Sequence, residues 1–235
     1  MYLVDYKGEH SVIFGSNHSW KDWHLIPSAP PVIPPPKPKL SYLDIPGTNG
    51  SLDISEILTG APTYENRTGS IAFIYLTEFG SSRRMYETIM NAVHGRRLRV
   101  ILTDDPEYFY EGRVSVKEYS ISAQYSGFSF DYTFDPFKLR VHESPGYSNL
   151  AVDGERVIPL NTGASPMLVT PIVSVESQAG LTGVLTRPGK PDVTIHFPAG
   201  VSSARYPGLT IGEGGGILTV TGTGTISLEI RGGSL

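Results

Sequence analysis

The chain has 235 residues, of which 39% are hydrophobic and 18% charged, and this balance excludes general disorder. Its net charge is −4, spread evenly over the two halves. Neither half therefore has the basic excess that phosphate contacts require, which argues against nucleic-acid binding. The absence of cysteine excludes disulfides and thiolate metal sites, and the 26 glycines and 19 prolines favour a β-rich, turn-rich protein.

The N-terminal segment combines two tryptophans with an unusual density of proline. Residues 27–46 contain eight prolines. Because proline fixes φ and biases the preceding residue towards extended geometry, residues 27–38 are predicted to form a stiff, polyproline-like strap. Such a strap has no core of its own, so we expect about residues 1–38 to form an intersubunit arm. The candidates for its interface with a second copy are Phe14, Trp20, Trp23, Pro34 and Pro35.

The rest of residues 1–140 is predicted to be an α+β domain, with antiparallel strands and one helix. Ser81 or Ser82 as N-cap and Gly95 as C-cap predict the helix over about residues 83–94, with apolar side chains at i, i+4 and i+8. A Pro-Gly and Asn-Gly turn closes the first strand at residues 46–50. The predicted strands are 40–45, 70–76, 96–103, 108–117 and 128–134.

Glycine usage then rises, since 16 of the 26 glycines lie in residues 146–233. Short strands without any helix signal predict a second, all-β sandwich domain over residues 141–235, with its boundary near residue 145. The last two strands are predicted to form a hairpin around Gly222-Thr223-Gly224. The predicted strands are 168–175, 193–197, 209–211, 217–221 and 226–231.

No group of residues predicts an active site. Asp104, Asp105 and Glu107 could in principle serve a glycoside hydrolase, but Asp-Pro in a turn between two strands is ordinary hairpin chemistry. The histidines form no helical metal-binding pair, and the glycine-rich residues 212–216 lack the Lys-Ser/Thr of a phosphate-binding loop. We therefore predict no catalytic, cofactor-binding or metal site, and a protein that is not an enzyme.

No stretch approaches the ~18 consecutive apolar residues of a spanning helix, and residues 1–26 show no signal-peptide pattern. The sequence therefore predicts a soluble protein made in the cytosol, with no membrane partner.

Several segments follow one another in a characteristic order within residues 12–140. They are IFGSN at 13–17 with the two tryptophans after it, DIPGTNGSLD at 44–53, YENR at 64–67, DDPEYFYEGR at 104–113 and FDPFK at 134–138. Together they resemble the distal tail (Dit) proteins of long-tailed, non-contractile siphophages and prophages of Gram-positive bacteria.

This resemblance implies a structural part of the virion tail tip, assembled in the host cytoplasm. Members of the family form homohexameric rings, single or stacked, that join the tail tube protein to the tail-associated lysin or fibre protein at the baseplate. Residues 1–140 would form the ring, and residues 141–235 would be a galectin-like β-sandwich. DNA would only pass through the central channel, and no cofactor is implied.

The main alternative is a carbohydrate-binding module, in which the C-terminal sandwich recognises a host cell-wall glycan. Sugar sites normally expose aromatic side chains for stacking. Residues 150–235 contain only Phe197 and Tyr206 as aromatic residues, and both tryptophans lie near the N-terminus. The composition therefore favours the structural role over glycan binding.

Overall fold

The computed structural model describes residues 8–57, 61–121, 125–142, 147–161, 167–212 and 214–235. The chain divides into two compact units, Met1–Lys138 together with Leu235, and Leu139–Ser234. The described residues form a mainly β structure with one α-helix, so the predicted fold class is confirmed.

The first unit is built on one antiparallel sheet with the strand order β2-β1-β7-β8-β10-β6-β3, and β9 lies beside β10. A separate two-stranded sheet, β4-β5, does not join it. The elements are β1 (Val12–Phe14), β2 (Asn17–His18), β3 (Leu25–Pro27), β4 (Tyr42–Asp44), β5 (Ser51–Asp53), β6 (Arg67–Leu76), α1 (Ser82–Val93), β7 (Arg96–Leu102), β8 (Tyr108–Val116), β9 (Ser120–Ile121) and β10 (Tyr125–Phe134).

The neighbouring strands β6 and β10 provide the centre of this unit's core. Phe128 lies opposite Phe73 and Phe130 opposite Ile71. Side chains at alternate positions of both strands are buried, because successive residues of a strand point to opposite faces of the sheet. The strands predicted at residues 70–76 and 128–134 are therefore present, each within a longer strand.

The helix α1 begins and ends as its caps predict, within one residue of the predicted bounds. The hydroxyl of Ser81 accepts a hydrogen bond from the backbone N–H of Arg84, and Gly95 follows the helix with a φ of 71°. Ile89 and Val93 are buried against the sheet's core.

Two of the predicted interface residues lie in this core instead. Phe14 is 1% exposed and Trp23 3% exposed, and their rings stack on each other with centroids 6.0 Å apart. Phe14 also stacks on Phe130 at 5.0 Å. Because β1 pairs with β7 inside the sheet, the side chain of Phe14 points to the core face. Phe14 and Trp23, which the sequence predicted to lie at an interface with a second copy, are therefore buried in the core of their own unit.

The second unit is an antiparallel sheet with the strand order β15-β14-β17-β13-β16, in which β12 also pairs with β17. Short strands β11 and β18 pair with each other. The strands are β11 (Lys138–Arg140), β12 (Leu150–Leu160), β13 (Ile172–Ser177), β14 (Leu181–Arg187), β15 (Lys190–Phe197), β16 (Gly200–Arg205), β17 (Gly216–Glu229) and β18 (Gly233–Ser234).

The 14-residue strand β17 organises this sheet. Along one side it pairs with β12 from Gly216 to Ile226. On the other side its first half pairs with β14 and its second half with β13. The buried side chains of both halves belong to one apolar cluster, so the sheet curls around a single core.

The hairpin predicted around Gly222-Thr223-Gly224 is wrong, because the chain continues through these residues as one strand. Gly222 has a φ of 130° and lies opposite Gly154, whose φ is 82°. Glycine tolerates such φ values without steric cost, so these residues bend two paired strands where the sheet curls. The strand predicted at residues 209–211 is instead a short 3₁₀ turn, Pro207–Leu209, followed by an isolated bridge from Ile211 to Val169.

Candidate assembly surface

The proline-rich strap lies along its own unit. Ile33 is buried in the core, and Pro38 forms an isolated antiparallel bridge with Tyr64. Two backbone hydrogen bonds of 2.8 Å flank this bridge, from Lys39 N–H to the Thr63 carbonyl and from Glu65 N–H to the Lys37 carbonyl. The strap is thus fastened within the monomer. The expectation that it lacks support from its own core is wrong.

Arg67 holds the base of the strap. Its Nη1 donates to the Pro34 carbonyl at 2.8 Å and its Nε to the Pro136 carbonyl at 2.7 Å. The guanidinium carbon lies 5.5 Å from the centre of the Tyr110 ring. Arg67 is only 4% exposed, and burial lowers its pKa. Its Nη2 is buried without a hydrogen-bond partner among the described residues.

The hairpin β4-β5 follows the strap and is exposed along both strands. Leu43 and Leu52 lie opposite each other and are 52% and 50% exposed. Further large apolar residues of the segment are also exposed: Leu40, Tyr42, Ile45 and Ile57. A two-stranded hairpin is marginally stable in water by itself. The hairpin is therefore a marginally stable element with an exposed apolar surface, and such surfaces mark sites of protein–protein interaction.

The sequence did not single out these apolar residues. A strand was predicted at residues 40–45 and its turn was recognised, but periodicity cannot show that both faces of a strand lack cover. Tyr42 and Leu43 are neighbours in the strand, so their side chains face opposite sides of the hairpin. Large apolar side chains on both sides are the signal that could have indicated an exposed apolar surface.

The other candidate interface residues lie at the surface of the same unit. Pro34 and Pro35 are exposed in the strap. Trp20 is half-buried and packs edge-on against His24 and Phe79, with ring centroids 5.8 Å and 5.9 Å away. These three candidates are compatible with an interface, and their role in one stays a proposal.

The carboxylates of the acidic turn between β7 and β8 are engaged by a hydrogen bond and an ion pair within the chain. An oxygen of Asp104 lies 2.7 Å from Nδ1 of His10, and the Lys138 ammonium lies 2.6 Å from Asp105. Lys138 also lies over the Tyr108 ring at 4.4 Å. These contacts tie the turn to distant parts of the chain, so the carboxylates have structural partners.

Within the described ranges, no group of three or more metal-ligating side chains is placed to hold a metal ion. No helix in the described part of the chain is long and apolar enough to cross a membrane.

An open groove of about 880 Å³ lies in the second unit, beside the bend of β17. Its lining includes Glu176, Gln178 and Val201, and it contains no aromatic side chain. Phe197 is buried in the core, with Tyr206 packed edge-on against it. The groove therefore lacks the stacking surface expected of a glycan site.

No protein-family model and no curated protein matches the chain. Among solved structures, it is similar to the crystal structure of the SPP1 Dit protein (gp 19.1), described as a paradigm of the hub adsorption apparatus in phages that infect Gram-positive bacteria. The TM-score is 0.64 at 13% sequence identity, over 94% of this chain and 98% of that one. The chain has the Dit fold.

Within the Dit fold, segments that suggested the resemblance meet in space. The YENR and FDPFK segments meet where the Tyr64 ring packs edge-on against Phe137 at 5.7 Å and Arg67 donates to Pro136. The DDPEYFYEGR and FDPFK segments meet through the pair of Asp105 and Lys138. These segments therefore stabilise the first unit around the base of the strap.

Proposed function

We propose that this chain is a structural component of a siphophage or prophage tail, a distal tail protein that assembles with itself into a ring, with six copies the expected number. The ring would join the tail tube protein to the tail-tip protein, a tail-associated lysin or fibre protein, in a virion assembled in the host cytoplasm. The Dit fold supports this role. The similar solved structure is itself described as part of a hub adsorption apparatus.

The observation that carries self-assembly is the exposed hairpin β4-β5. A cyclic ring uses heterologous interfaces, in which an element of one subunit docks on a different surface of the next. The hairpin projects apolar side chains on both strands and, among the described residues, has no third strand beside it. We infer that the intersubunit arm comprises residues 40–57 and that the strap, held by Arg67, forms its base.

The glycan-binding alternative has less support. The groove in the second unit lacks aromatic side chains, and both tryptophans lie in the first unit. An enzymatic role is also less well supported, because the acidic turn that could supply carboxylates is engaged by His10 and Lys138.

The test compares the solution mass of the full chain with that of a hairpin variant, Leu43→Ser with Leu52→Ser. Wild type is expected at the mass of six copies, or twelve if rings stack. Burying an exposed leucine contributes about 1.5–3 kcal/mol, so losing two half-exposed ones weakens association at least roughly tenfold. The variant should therefore lose the ring mass and fall to at most two copies at micromolar concentration, measured by light scattering after size exclusion.

The matched control is Val157→Ser, which removes an apolar side chain that is 57% exposed in the second unit. It should leave the mass unchanged. A wild-type chain that stays monomeric at high concentration, or a hairpin variant that assembles like wild type, would contradict the proposal.

A further inference from the structure

The edge strand β16 in the second unit has an unusual composition. Within the described part of the chain it pairs only with β13, and five of its six residues are exposed, with Val201 at 83%. It contains glycine, valine, two serines and alanine, and its single charge is Arg205 at the end. An edge of this kind offers unpaired backbone groups to another strand.

The other long edges of the same sheet carry the residues that proteins use to prevent such pairing. The strand β12 contains three charged residues and Pro159. The strand β15 begins Lys190-Pro191-Asp192. Charges and prolines discourage strand addition, so the sheet is protected at β12 and β15 and open at β16.

We propose that β16 pairs antiparallel with β16 of a second copy of this chain, across a two-fold axis at Ser203. In this register Ser203 lies opposite its own copy, and Val201 lies opposite Arg205. The small side chains of the strand allow the two backbones to approach, and the outer faces of the two sheets become continuous. The contact is isologous, because each copy contributes the same patch. It does not rest on the proposed ring.

Charge complementarity favours a second copy as the occupant. Glu176 of β13 lies directly opposite Val201 and is exposed on the same face. A groove of about 240 Å³ lies there, and Glu176 is the one ionisable residue among the described residues that line it. Two-fold pairing directs Arg205 of the second copy over Val201 towards this carboxylate, twice per dimer. Among the described residues of a single copy, the Arg205 side chain makes one hydrogen bond, of 3.4 Å, to the Thr170 carbonyl.

The cysteine-free chain permits a direct test, because Ser203→Cys introduces a single thiol. Directly opposed positions of an antiparallel pair have Cβ atoms about 4.5–5.5 Å apart, close enough for a disulfide after small adjustments. Mild oxidation of the full-length variant should give mainly covalent dimer on a non-reducing gel. The matched control, Thr194→Cys, is exposed on the protected edge strand β15 and should stay mainly monomeric. Equal cross-linking of the two variants would overturn the proposal.

A charge exchange tests the register. Glu176→Arg alone and Arg205→Glu alone should each halve the molar mass of the assembly, and the two together should restore it. Failure of the double variant to restore the mass would overturn the pairing, as would single variants with the wild-type mass. The hairpin variant separates this contact from the ring. Ser203→Cys should still cross-link when Leu43→Ser and Leu52→Ser are added, so one contact can fail while the other is retained.

Discussion

Arg67 is a buried cation whose hydrogen-bond acceptors are backbone carbonyls. Pro34 and Pro136 each accept one of its N–H groups, so a single side chain joins the strap to the chain beyond β10. A planar guanidinium can donate in two directions at once, whereas the ammonium of lysine is a point charge on a flexible stem. Arg67 thus acts by its shape as well as its charge.

This geometry predicts an unusual order of mutational effects. Arg67→Lys retains a buried charge but cannot reach both carbonyls, so it should cost about 3–5 kcal/mol. Arg67→Met removes the charge together with its desolvation cost, and should cost about 1–3 kcal/mol. Both tryptophans lie in the first unit, so tryptophan fluorescence in a urea titration reports on that unit alone. The prediction fails if the methionine variant is the less stable of the two.

The sequence alone could not reveal this role. In a sequence, interacting residues can be recognised when their side chains are complementary in charge or chemistry. The partners of Arg67 are instead backbone carbonyls far along the chain, which every residue carries. Phe14 and Trp23 were misjudged for a related reason. Large aromatic residues beside a proline-rich segment suit an interface or a core equally well, and only the pairing of β1 with β7 places Phe14 inside.

At the scale of elements, strands with clear alternation were predictable and strands without it were not. The alternating aromatic residues of β10 and the capped helix α1 were found at nearly the observed bounds. The strands β12, β14 and β16 were missed. In β14 a glycine occupies a buried position, and in β12 a run of polar residues interrupts the apolar pattern. In β16 neither face is covered, so no alternation exists.

The bend of β17 gives a prediction at this scale. A Cβ on Gly224 would overlap the Glu176 carbonyl oxygen of the neighbouring strand β13. Gly224→Ala should therefore force the two strands apart and destabilise the second unit by roughly 2–4 kcal/mol. The control is Gly189→Ala, in a turn where an added Cβ would meet no neighbouring atom within 4 Å. This substitution should lower the free energy of unfolding by only about 1 kcal/mol, because of the positive φ at residue 189. Urea unfolding followed by circular dichroism should show the loss of stability in the second unit, while the transition followed by tryptophan fluorescence in the first unit should not change.

At the scale of the whole molecule, the chain separates into two compact units, Met1–Lys138 with Leu235 and Leu139–Ser234. Each has its own apolar cluster. The sequence-based prediction of two independently folding domains, 1–140 and 141–235, follows from the same physical requirement that a domain bury its own core.

Limited proteolysis tests this independence. Cleavage is expected within residues 143–149 and should release a β-rich fragment of roughly 90 residues that stays folded, since domain boundaries are preferred sites of cleavage. The fragment would be identified by mass spectrometry and its fold by circular dichroism. A chain that resists cleavage there, or a released fragment that unfolds, would show that the two units depend on each other.

The length of β17 determines how the second unit comes apart. The strand pairs with β14 through its first half and with β13 through its second, and β12 runs beside both. Because β17 is shared, neither β13 nor β14 can separate from the sheet without exposing part of the strand that the other also needs. Unfolding of the second unit should therefore be all-or-none. Amide protons in β13 and β14 should then exchange with solvent at similar rates, governed by one global opening event. In the proposed tail assembly, this cooperativity would let the unit transmit a load as a rigid body until it unfolds as a whole.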